Sequence, residues 1–310
     1  MKAALCQFRI EYEEKAQNLQ RAERMIAAAS EAQAKIIFFP EMSFTGFSMQ
    51  VSVTGEPDGE TLRRMQQYAR TYGIAAGFGW VKKHADKGEN HYTVVDENGT
   101  VLADYVKIHP FSYSGEDAVF VPGSRTAVFT YSGVTFGLFI CYDLRFPEIF
   151  RAVSGQAEVL VVAANWPEAR IAHWNKLLEA RAIENQSWVL GINCVGEQQA
   201  CSYNGCSRAV TPEGRPQRFS LTGRGSFSVR SGRKPHVSGR AFRLCATAEM
   251  YFIRNCSDKK KQRWKYGKHR KQAHKLQDQT GAALRGYRNG HPHDHDVRRD
   301  ALVKRNGKKG

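Results

Sequence analysis

The chain has 310 residues, enough for one large domain or two of ordinary size, and 42% of them are hydrophobic. It has no apolar run of 18 residues, which excludes a predicted membrane span, and its N-terminal apolar stretch is too short for a signal peptide. Seven cysteines at scattered spacing favour reduced thiols in a cytoplasmic protein over a disulfide framework, and no pair has zinc-finger spacing.

The formal net charge of +16 hides two regions of opposite character. Residues 1–214 carry 20 Lys and Arg against 24 Asp and Glu, a net charge of −4. Residues 215–310 carry 26 Lys and Arg against 6 Asp and Glu, a net charge of +20. A change of this size predicts two pieces that must be interpreted separately.

The acidic piece alternates apolar strands with amphipathic helices. The predicted strands cover residues 3–8, 36–39, 74–81, 92–96, 100–106, 126–131, 134–140, 158–163 and 188–195. The predicted helices cover residues 11–34, 61–71, 146–153 and 172–186. Asn98-Gly99 between two strands is a strong signal for a tight hairpin. This alternation predicts an α/β layered domain.

Three of these strands end at a residue with catalytic chemistry. Glu41 follows the short second strand, Lys107 follows a hairpin strand, and Cys141 follows the apolar run 134–140. Ligands bind at strand ends in α/β proteins. Each residue also has a simpler interpretation: a surface glutamate, a solvated lysine and a small buried thiol. Their joint occurrence at strand ends favours a shared site.

The three positions lie in motifs that resemble a known family. The segments FFPEMSFTGF around Glu41, YVKIHPF around Lys107 and GLFICYDLRFPE around Cys141 are similar to the Glu-Lys-Cys motifs of the nitrilase, or carbon–nitrogen hydrolase, superfamily. Flanking segments such as NWPEAR and YNGCSR are most like the ω-amidase branch, which hydrolyses the terminal amide of dicarboxylic acid monoamides such as 2-oxoglutaramate. The resemblance covers residues 1–214 and implies an α/β fold, the nitrilase-like α-β-β-α layered sandwich.

The resemblance also implies a mechanism through a thioester on Cys141. A thiol is only slightly ionised at neutral pH, so it needs a base, and Glu41 is the expected one. Lys107 and the backbone N–H of Tyr142 are the expected donors to the oxyanion. Glu116 is expected to orient Lys107 and the attacking water. No metal and no organic cofactor is implied.

Substrate recognition is expected to involve arginine. An ω-amide acid carries a free carboxylate, which the planar guanidinium of arginine fits well. Arg170 is the first candidate, with Trp166 as an apolar wall, and Arg145 is the second. Either arginine can instead serve in a structural ion pair, Arg145 with Glu148 or Asp143.

The remaining polar candidates are interpreted as structural. His109 and His173 are not required by this chemistry and are assigned to a loop and to packing. Cys194 and Cys206 are assigned as structural thiols.

Residues 215–310 depart from the family's pattern. They are rich in Gly, Ser, Arg and Lys, so we expect a poorly ordered basic tail, although residues 241–254 are compatible with one helix or strand. The change of charge where the motifs stop suggests a reading frame shifted near residue 215. The catalytic domain would then be C-terminally incomplete, without its last strands and the arm that packs across a homodimer, which places its activity in doubt.

Two other functions stay open. Another carbon–nitrogen hydrolase would act on nitrile or N-carbamoyl substrates. A catalytically impaired protein could instead bind nucleic acid non-specifically through its basic tail, although no interleaved aromatic pattern supports specific binding. A small-molecule amide is the preferred partner.

Overall fold

The computed structural model describes residues 1–217, 229–230 and 247–254. The strands are β1 (Lys2–Gln7), β2 (Ile36–Phe38), β3 (Ala75–His84), β4 (Lys87–Val95), β5 (Val101–Val106), β6 (Ala127–Tyr131), β7 (Val134–Ile140), β8 (Val159–Ala164), β9 (Trp188–Asn193), β10 (Val195–Gln198), β11 (Cys201–Asn204), β12 (Arg208–Val210), β13 (Val229–Arg230) and β14 (Thr247–Arg254). The helices are α1 (Lys15–Glu31), α2 (Val51–Thr54), α3 (Glu60–Tyr72), α4 (Glu116–Val119), α5 (Pro147–Val153) and α6 (Ile171–Asn185).

The strands form two mixed sheets and one small hairpin. The first sheet has the order β13-β14-β1-β2-β3-β4-β5, and the second has the order β12-β9-β8-β7-β6. In the first, β14, β1, β2 and β3 run parallel, and β3, β4 and β5 form an antiparallel meander. In the second, β7, β8 and β9 run parallel between antiparallel edge strands. Strands β10 and β11 form a two-stranded antiparallel hairpin.

The two sheets pack face to face with helices on both outer sides. One core cluster joins Leu5, Phe38 and Tyr92 of the first sheet to residues of the second such as Phe136 and Leu190. A second cluster packs helices α1 and α3 on the outer face of the first sheet. A third packs α5 and α6 on the outer face of the second sheet. The predicted α-β-β-α layered sandwich is therefore confirmed.

The sequence explains why the central strands lie in the middle layers. Every residue of β8, VLVVAA, is buried, as expected for a parallel strand covered on both faces. Helix α1 buries Leu19, Ala22, Met25, Ile26 and Ala29, which recur at helical spacing. The apolar stripe of the helix thus faces the sheet.

Several elements differ from the prediction. Helix α1 begins at Lys15, because Glu13 adopts a positive φ of 61° in a turn before it. Strand β3 runs past residue 81 into a hairpin with β4, although its last residues are polar and exposed. The predicted strand 188–195 ends at residue 193, and the hairpin β10–β11 and strand β12 follow it.

Part of the basic region belongs to the first sheet. Strand β14 pairs in parallel with β1, from Lys2 opposite Glu249 to Gln7 opposite Arg254. For residues 241–254 the sequence is compatible with either a helix or a strand, and the structure has strand β14 there. The first sheet therefore includes residues beyond 214. The expectations of poor order and of a dimer arm fall mostly on residues that lie outside the described ranges, and a shifted frame stays a prediction.

Two features are absent from the described ranges. No helix there is long and apolar enough to cross a membrane. No three His, Cys, Asp or Glu side chains there are grouped so that they could hold a metal ion.

Candidate active site

Cys141 lies at a sharp turn where β7 ends. It begins a 3₁₀ helix, Cys141–Arg145, and its φ is +44°. A positive φ is uncommon for a residue with a side chain, and such conformations cluster at functional sites. The Cys141 residue is partly exposed, and its Sγ lies 3.9 Å from the carbonyl oxygen of Asn165. The turn therefore presents the thiol at the end of the second sheet.

Asp143 fixes the geometry of this turn. Its buried carboxylate accepts hydrogen bonds from the Ile140 N–H at 3.0 Å and from the Tyr105 hydroxyl at 2.7 Å. It also accepts the His109 N–H at 3.0 Å and lies 2.9 Å from His109 Nδ1. His109 was assigned to a loop, and it follows Lys107 by two residues. Asp143 therefore ties the cysteine turn to the lysine loop, a link that sequence reasoning missed.

Lys107 is buried between two carboxylates. Its Nζ lies 2.9 Å from Glu41 Oε1, 3.0 Å from Glu116 Oε1 and 2.8 Å from Glu116 Oε2. The two glutamates are 0% exposed and Lys107 is 1% exposed. Three residues from separate segments thus form one desolvated cluster with a formal charge of −1.

Glu41 is held from both sheets. It lies in the turn after β2, and its Oε2 accepts the Asn165 N–H at 2.9 Å. The Asn165 side chain donates to the Glu41 carbonyl oxygen at 2.7 Å. Asn165 follows β8 and is the residue whose carbonyl lies near Cys141 Sγ. The glutamate and the thiol are therefore brought to one place by a common neighbour.

Besides Lys107, two other groups donate hydrogen bonds to the Glu116 carboxylate. At the start of α4, its Oε2 accepts the Phe111 N–H at 2.6 Å. The side-chain amide of Asn90, on β4, donates to Glu116 Oε1 at 3.1 Å and to Glu41 Oε1 at 2.9 Å. Asn90 was missed because the predicted strand began at residue 92. The sequence contains only a weak indication of its role: a polar residue in a strand that pairs with the strand before Lys107.

Arg145 lies against an aromatic wall. Its guanidinium carbon is 5.0 Å from the ring centroid of Trp166 and 5.8 Å from that of Tyr142. Its Nη2 lies 3.2 Å from Nδ1 of His173, on helix α6. The structure does not contain the ion pairs with Glu148 or Asp143 that the sequence left open, since Asp143 pairs with His109.

Arg170 lies on the same wall. Its guanidinium carbon is 5.3 Å from the ring centroid of Phe111, and its carbonyl accepts the Trp166 indole N–H at 2.8 Å. The rings of Phe111 and Tyr142 are 4.9 Å apart, which joins the two arginine positions. Within residues 1–217, neither Arg170 nor Arg145 has a carboxylate partner.

Comparison with known proteins shows the family of the chain. The family model described as carbon-nitrogen hydrolase matches residues 2–220. The chain belongs to the carbon–nitrogen hydrolase family. It is 34% identical over 214 residues to a 2-oxoglutaramate amidase of Bacillus subtilis, which is 67% of this chain and 82% of that protein. It is also 34% identical to omega-amidase YafV of Escherichia coli (strain K12), covering 58% of this chain and 70% of that one.

Solved amidases of this superfamily share the fold. An amidase from Nesterenkonia sp. matches with a TM-score of 0.65 and 28% identity, covering 70% of this chain and 84% of that chain. A variant of the Nesterenkonia amidase carries the product of Michael addition of acrylamide at its active-site cysteine. Amide hydrolysis is thus the reaction class of this carbon–nitrogen hydrolase.

Burial and charge set the protonation states in the hydrolase site. Burial raises the pKa of the Cys141 thiol, and the Glu41 carboxylate adds more to this rise than the Lys107 ammonium removes. Burial lowers the pKa of Lys107, but the carboxylates of Glu116 and Glu41 outweigh it and leave the pKa above its ordinary value. At neutral pH the site therefore holds a protonated thiol beside a permanent cation.

Tyr142 provides the backbone group next to the thiol. Its N–H lies in the first turn of the 3₁₀ helix, where N–H groups have no partner within the helix. Its ring packs at 5.3 Å from that of Phe146. The first-turn position suits a donor to charge that develops beside Cys141.

Proposed function

We propose that this chain hydrolyses the ω-amide of small dicarboxylic acid monoamides, of the 2-oxoglutaramate or succinamate type, to the dicarboxylic acid and ammonia. The observation that carries the proposal is the convergence of Glu41, Lys107 and the Cys141 turn beside two arginines without carboxylate partners. The relatives named 2-oxoglutaramate amidase and omega-amidase support this substrate class.

The first half-reaction acylates Cys141. Glu41 takes the thiol proton, and the sulfur attacks the amide carbon to form a tetrahedral oxyanion. Glu41 then returns the proton to the amide nitrogen, the C–N bond breaks, and ammonia leaves a thioester. The raised pKa of the thiol is the reason that a base is required. The cysteine adduct in the Nesterenkonia amidase variant supports a thiol nucleophile in this family.

Lys107 and the Tyr142 N–H stabilise the oxyanion. An ammonium has three N–H donors, and one bifurcated N–H can serve both oxygens of Glu116. With a second N–H on Glu41, the third remains for the substrate oxygen. Donors placed in advance in a desolvated site each contribute about 3–4 kcal/mol to transition-state stability.

The second half-reaction releases the acid. Glu41, now unprotonated again, takes a proton from a water molecule, whose oxygen attacks the thioester carbon. The second tetrahedral intermediate uses the same donors and collapses with loss of the Cys141 thiolate, which regains the proton from Glu41. Glu116 holds Lys107 in place through both steps.

The turnover experiment uses the full-length chain. Ammonia release is measured with 2-oxoglutaramate, succinamate, a neutral amide, a nitrile and an N-carbamoyl amino acid. We expect the two ω-amide acids to be hydrolysed with the highest kcat/KM. Preference for the nitrile or the N-carbamoyl compound would contradict the proposed substrate class.

Two variants test the catalytic roles. Cys141→Ala is expected to lower kcat by about 1,000-fold or more, and Glu41→Gln to bind substrate but not form the thioester. Cys201→Ala, an exposed thiol, and Glu56→Gln, a buried glutamate paired with Lys15 at 2.8 Å, are the matched controls and should keep their turnover per folded molecule. Unchanged turnover in Cys141→Ala, or rapid thioester formation in Glu41→Gln, would reject the assigned roles.

The arginines are tested by substrate preference. Arg170→Ala is expected to lower the ratio of kcat/KM for acidic over neutral amides by about 10- to 100-fold, since a charge-assisted hydrogen bond contributes about 1.5–3 kcal/mol. Arg145→Ala is the alternative, and the exposed Arg63→Ala is the control. An unchanged ratio in Arg170→Ala with a reduced one in Arg145→Ala would move the assignment to Arg145. An unchanged ratio in both would contradict carboxylate recognition by this wall.

A further inference from the structure

We propose that Asn90 is a positioning residue that holds Glu41 and Glu116 side by side in their ionised forms and so keeps Glu41 available as a base in the mildly acidic range. The proposal rests on the role of Glu41 in the proposed function. It adds a residue that touches neither the thiol nor the substrate and that acts through the two carboxylates.

Asn90 and Lys107 bridge the same pair of oxygens. Lys107 Nζ lies 2.9 Å from Glu41 Oε1 and 3.0 Å from Glu116 Oε1. The Asn90 amide nitrogen lies 2.9 Å and 3.1 Å from the same two oxygens. The four groups therefore form a closed ring in which donors and acceptors alternate. One ammonium leaves one of the two negative charges without a countercharge. The neutral amide of Asn90 supplies further N–H donors to the same oxygens.

The orientation of the amide follows from the charges. Rotating it by 180° would place its carbonyl oxygen against two carboxylate oxygens, which repel it. With the nitrogen on the carboxylates, Asn90 Oδ1 is buried and has no hydrogen-bond partner within the described residues. An unmet buried acceptor is costly for stability. The site thus favours the donor on the carboxylates over a satisfied side chain.

The backbone of Asn90 fixes this bridge next to Lys107. Its carbonyl oxygen accepts the Lys107 N–H at 2.9 Å, where β4 ends its pairing with β5. This bond does not depend on the side chain, so a substitution at residue 90 leaves Lys107 attached to the strand. The side chain can therefore be changed while the path of the backbone is kept.

The other titratable groups that face the carboxylates keep their charge state in the mildly acidic range. They are Lys107, Cys141, Cys194 and Tyr203. Burial raises the pKa of both thiols and of the Tyr203 phenol, so these groups stay neutral. The carboxylates of Glu116 and Glu41 outweigh the effect of burial and leave the pKa of Lys107 raised, so Lys107 stays charged. A change in the acid limb of kcat/KM on substitution of Asn90 is therefore assigned to the two carboxylates that its amide bridges.

Removing the Asn90 donor is expected to move that limb upward. A hydrogen bond to an ionised carboxylate favours the ionised form, and two carboxylates without enough donors share a proton. The acid limb of kcat/KM for an ω-amide substrate should shift to higher pH by about one to two units in Asn90→Ala and in Asn90→Leu. The Leu variant fills the space, so water cannot replace the donor. The loss of activity should be large at low pH and small at high pH.

A second readout does not need turnover. Alkylation of Cys141 by iodoacetamide, followed by mass spectrometry of its peptide, should show the same upward shift of its pH dependence. In Glu116→Gln/Asn90→Ala the shift should shrink, because one of the two repelling charges is gone. Asn90→Asp keeps the shape of the side chain and serves if the apolar variants do not fold; its added negative charge should shift the limb further.

Asn185→Ala is the matched control. Asn185 is also buried with an unpaired Oδ1, and its amide lies 2.9 Å from the Arg181 carbonyl and 3.4 Å from Glu184 Oε1. It should lose stability without moving the acid limb. A uniform fall of kcat/KM at all pH values in the Asn90 variants, or an equal shift in Asn185→Ala, would overturn the proposal. Active Cys141→Ala would instead overturn the proposed function itself.

Discussion

Strand β4 presents a charge cluster on each of its faces. Asn90 points into the buried cluster of Glu41, Lys107 and Glu116, and the next residue, His91, points to the outer face of the sheet, as consecutive strand residues do. Each cluster has one cationic group between two carboxylates. Because the two clusters share this arrangement but differ in exposure, comparing them shows what burial does to the charges.

The outer cluster is open to water on its carboxylate side. His91 Nδ1 lies 2.9 Å from Asp104 Oδ2, and His91 Nε2 lies 3.1 Å from Glu89 Oε2. The Asp104 and Glu89 side chains are 41% and 18% exposed, whereas both glutamates of the inner cluster are fully buried. The Thr93 hydroxyl donates to Asp104 at 2.5 Å and accepts the Trp80 indole N–H at 2.8 Å. In the outer cluster, water and the neutral Thr93 hydroxyl therefore help His91 to stabilise the carboxylate charges.

The difference teaches which cation each environment needs. A cluster whose carboxylates are fully buried requires a cation that keeps its charge, and Lys107 meets this requirement because the carboxylates raise its pKa. A cluster whose carboxylates reach water can use a histidine, whose charge changes near neutral pH. The inner cluster therefore keeps a constant charge beside the thiol. The outer cluster links the neighbouring strands β4 and β5.

The largest expected effect separates the two clusters by their central cations. Lys107→Met leaves two buried carboxylates without a countercharge, so turnover should be lost and the free energy of unfolding should fall by about 3–5 kcal/mol. His91→Gln should cost less, because the Asp104 and Glu89 carboxylates that it leaves behind reach water. Guanidinium denaturation measures both. Equal losses in the two variants would contradict the distinction.

The second prediction tests how rigidly the inner cluster is placed. A Cβ on Gly79 would lie 2.3 Å from the Met42 nitrogen and 2.8 Å from the Glu41 carbonyl carbon. Gly79→Ala must therefore displace Glu41, and a shift near 1 Å should lower kcat by about 100-fold. Gly155→Ala, where a Cβ has open space, is the control and should leave kcat unchanged. Full activity in Gly79→Ala would show that Glu41 tolerates displacement.

The third prediction concerns the pH dependence of stability in the outer cluster. Burial lowers the pKa of His91, but Asp104 and Glu89 outweigh it and raise the pKa above its ordinary value of 6.5. The stabilisation by His91 is therefore fully present below pH 6.5 and is lost as the pH rises through the folded-state value.

The measurement compares wild type with His91→Gln. Their difference in unfolding free energy should decrease with rising pH above 6.5, with a slope of at most about 1.4 kcal/mol per pH unit for one proton. A difference that increases with pH in this window would contradict the assigned direction.

The smallest expected effect lies at the rim of the outer cluster. Lys82 Nζ is 4.0 Å from Glu89 Oε2, and its side chain is about half exposed. Lys82→Met should change the unfolding free energy by less than about 0.5 kcal/mol and leave turnover unchanged. A loss comparable with that of Lys107→Met would show that exposure is not the deciding variable.

The sequence predicts those parts of the site that stand at the ends of apolar strands. Cys141 and Lys107 were found because periodic burial marks where a strand stops. The roles of Asn90, Asp143 and Asn165 were not predicted, because their partners are distant in the sequence. A side chain that is important only through a non-local hydrogen bond leaves no local pattern.

The fold shows the same limit. The alternation of strands and helices predicts the four layers, because each element needs one covered face. The hairpin between β3 and β4 was missed because its turn places Ala85 at a φ of +52°, a conformation that an Ala-Asp pair does not signal. The hairpin of β10 and β11 was not predicted either, because each strand has only four residues.

The candidate active site contains residues of both sheets, since Glu41 and Lys107 extend from one and Cys141 and Asn165 from the other. Any expanded intermediate in which the layers slide apart would retain its helices and strands yet be inert. Inactivation by heat or denaturant should consequently run ahead of the loss of far-ultraviolet circular dichroism, and enzyme assays will report interlayer docking rather than secondary structure.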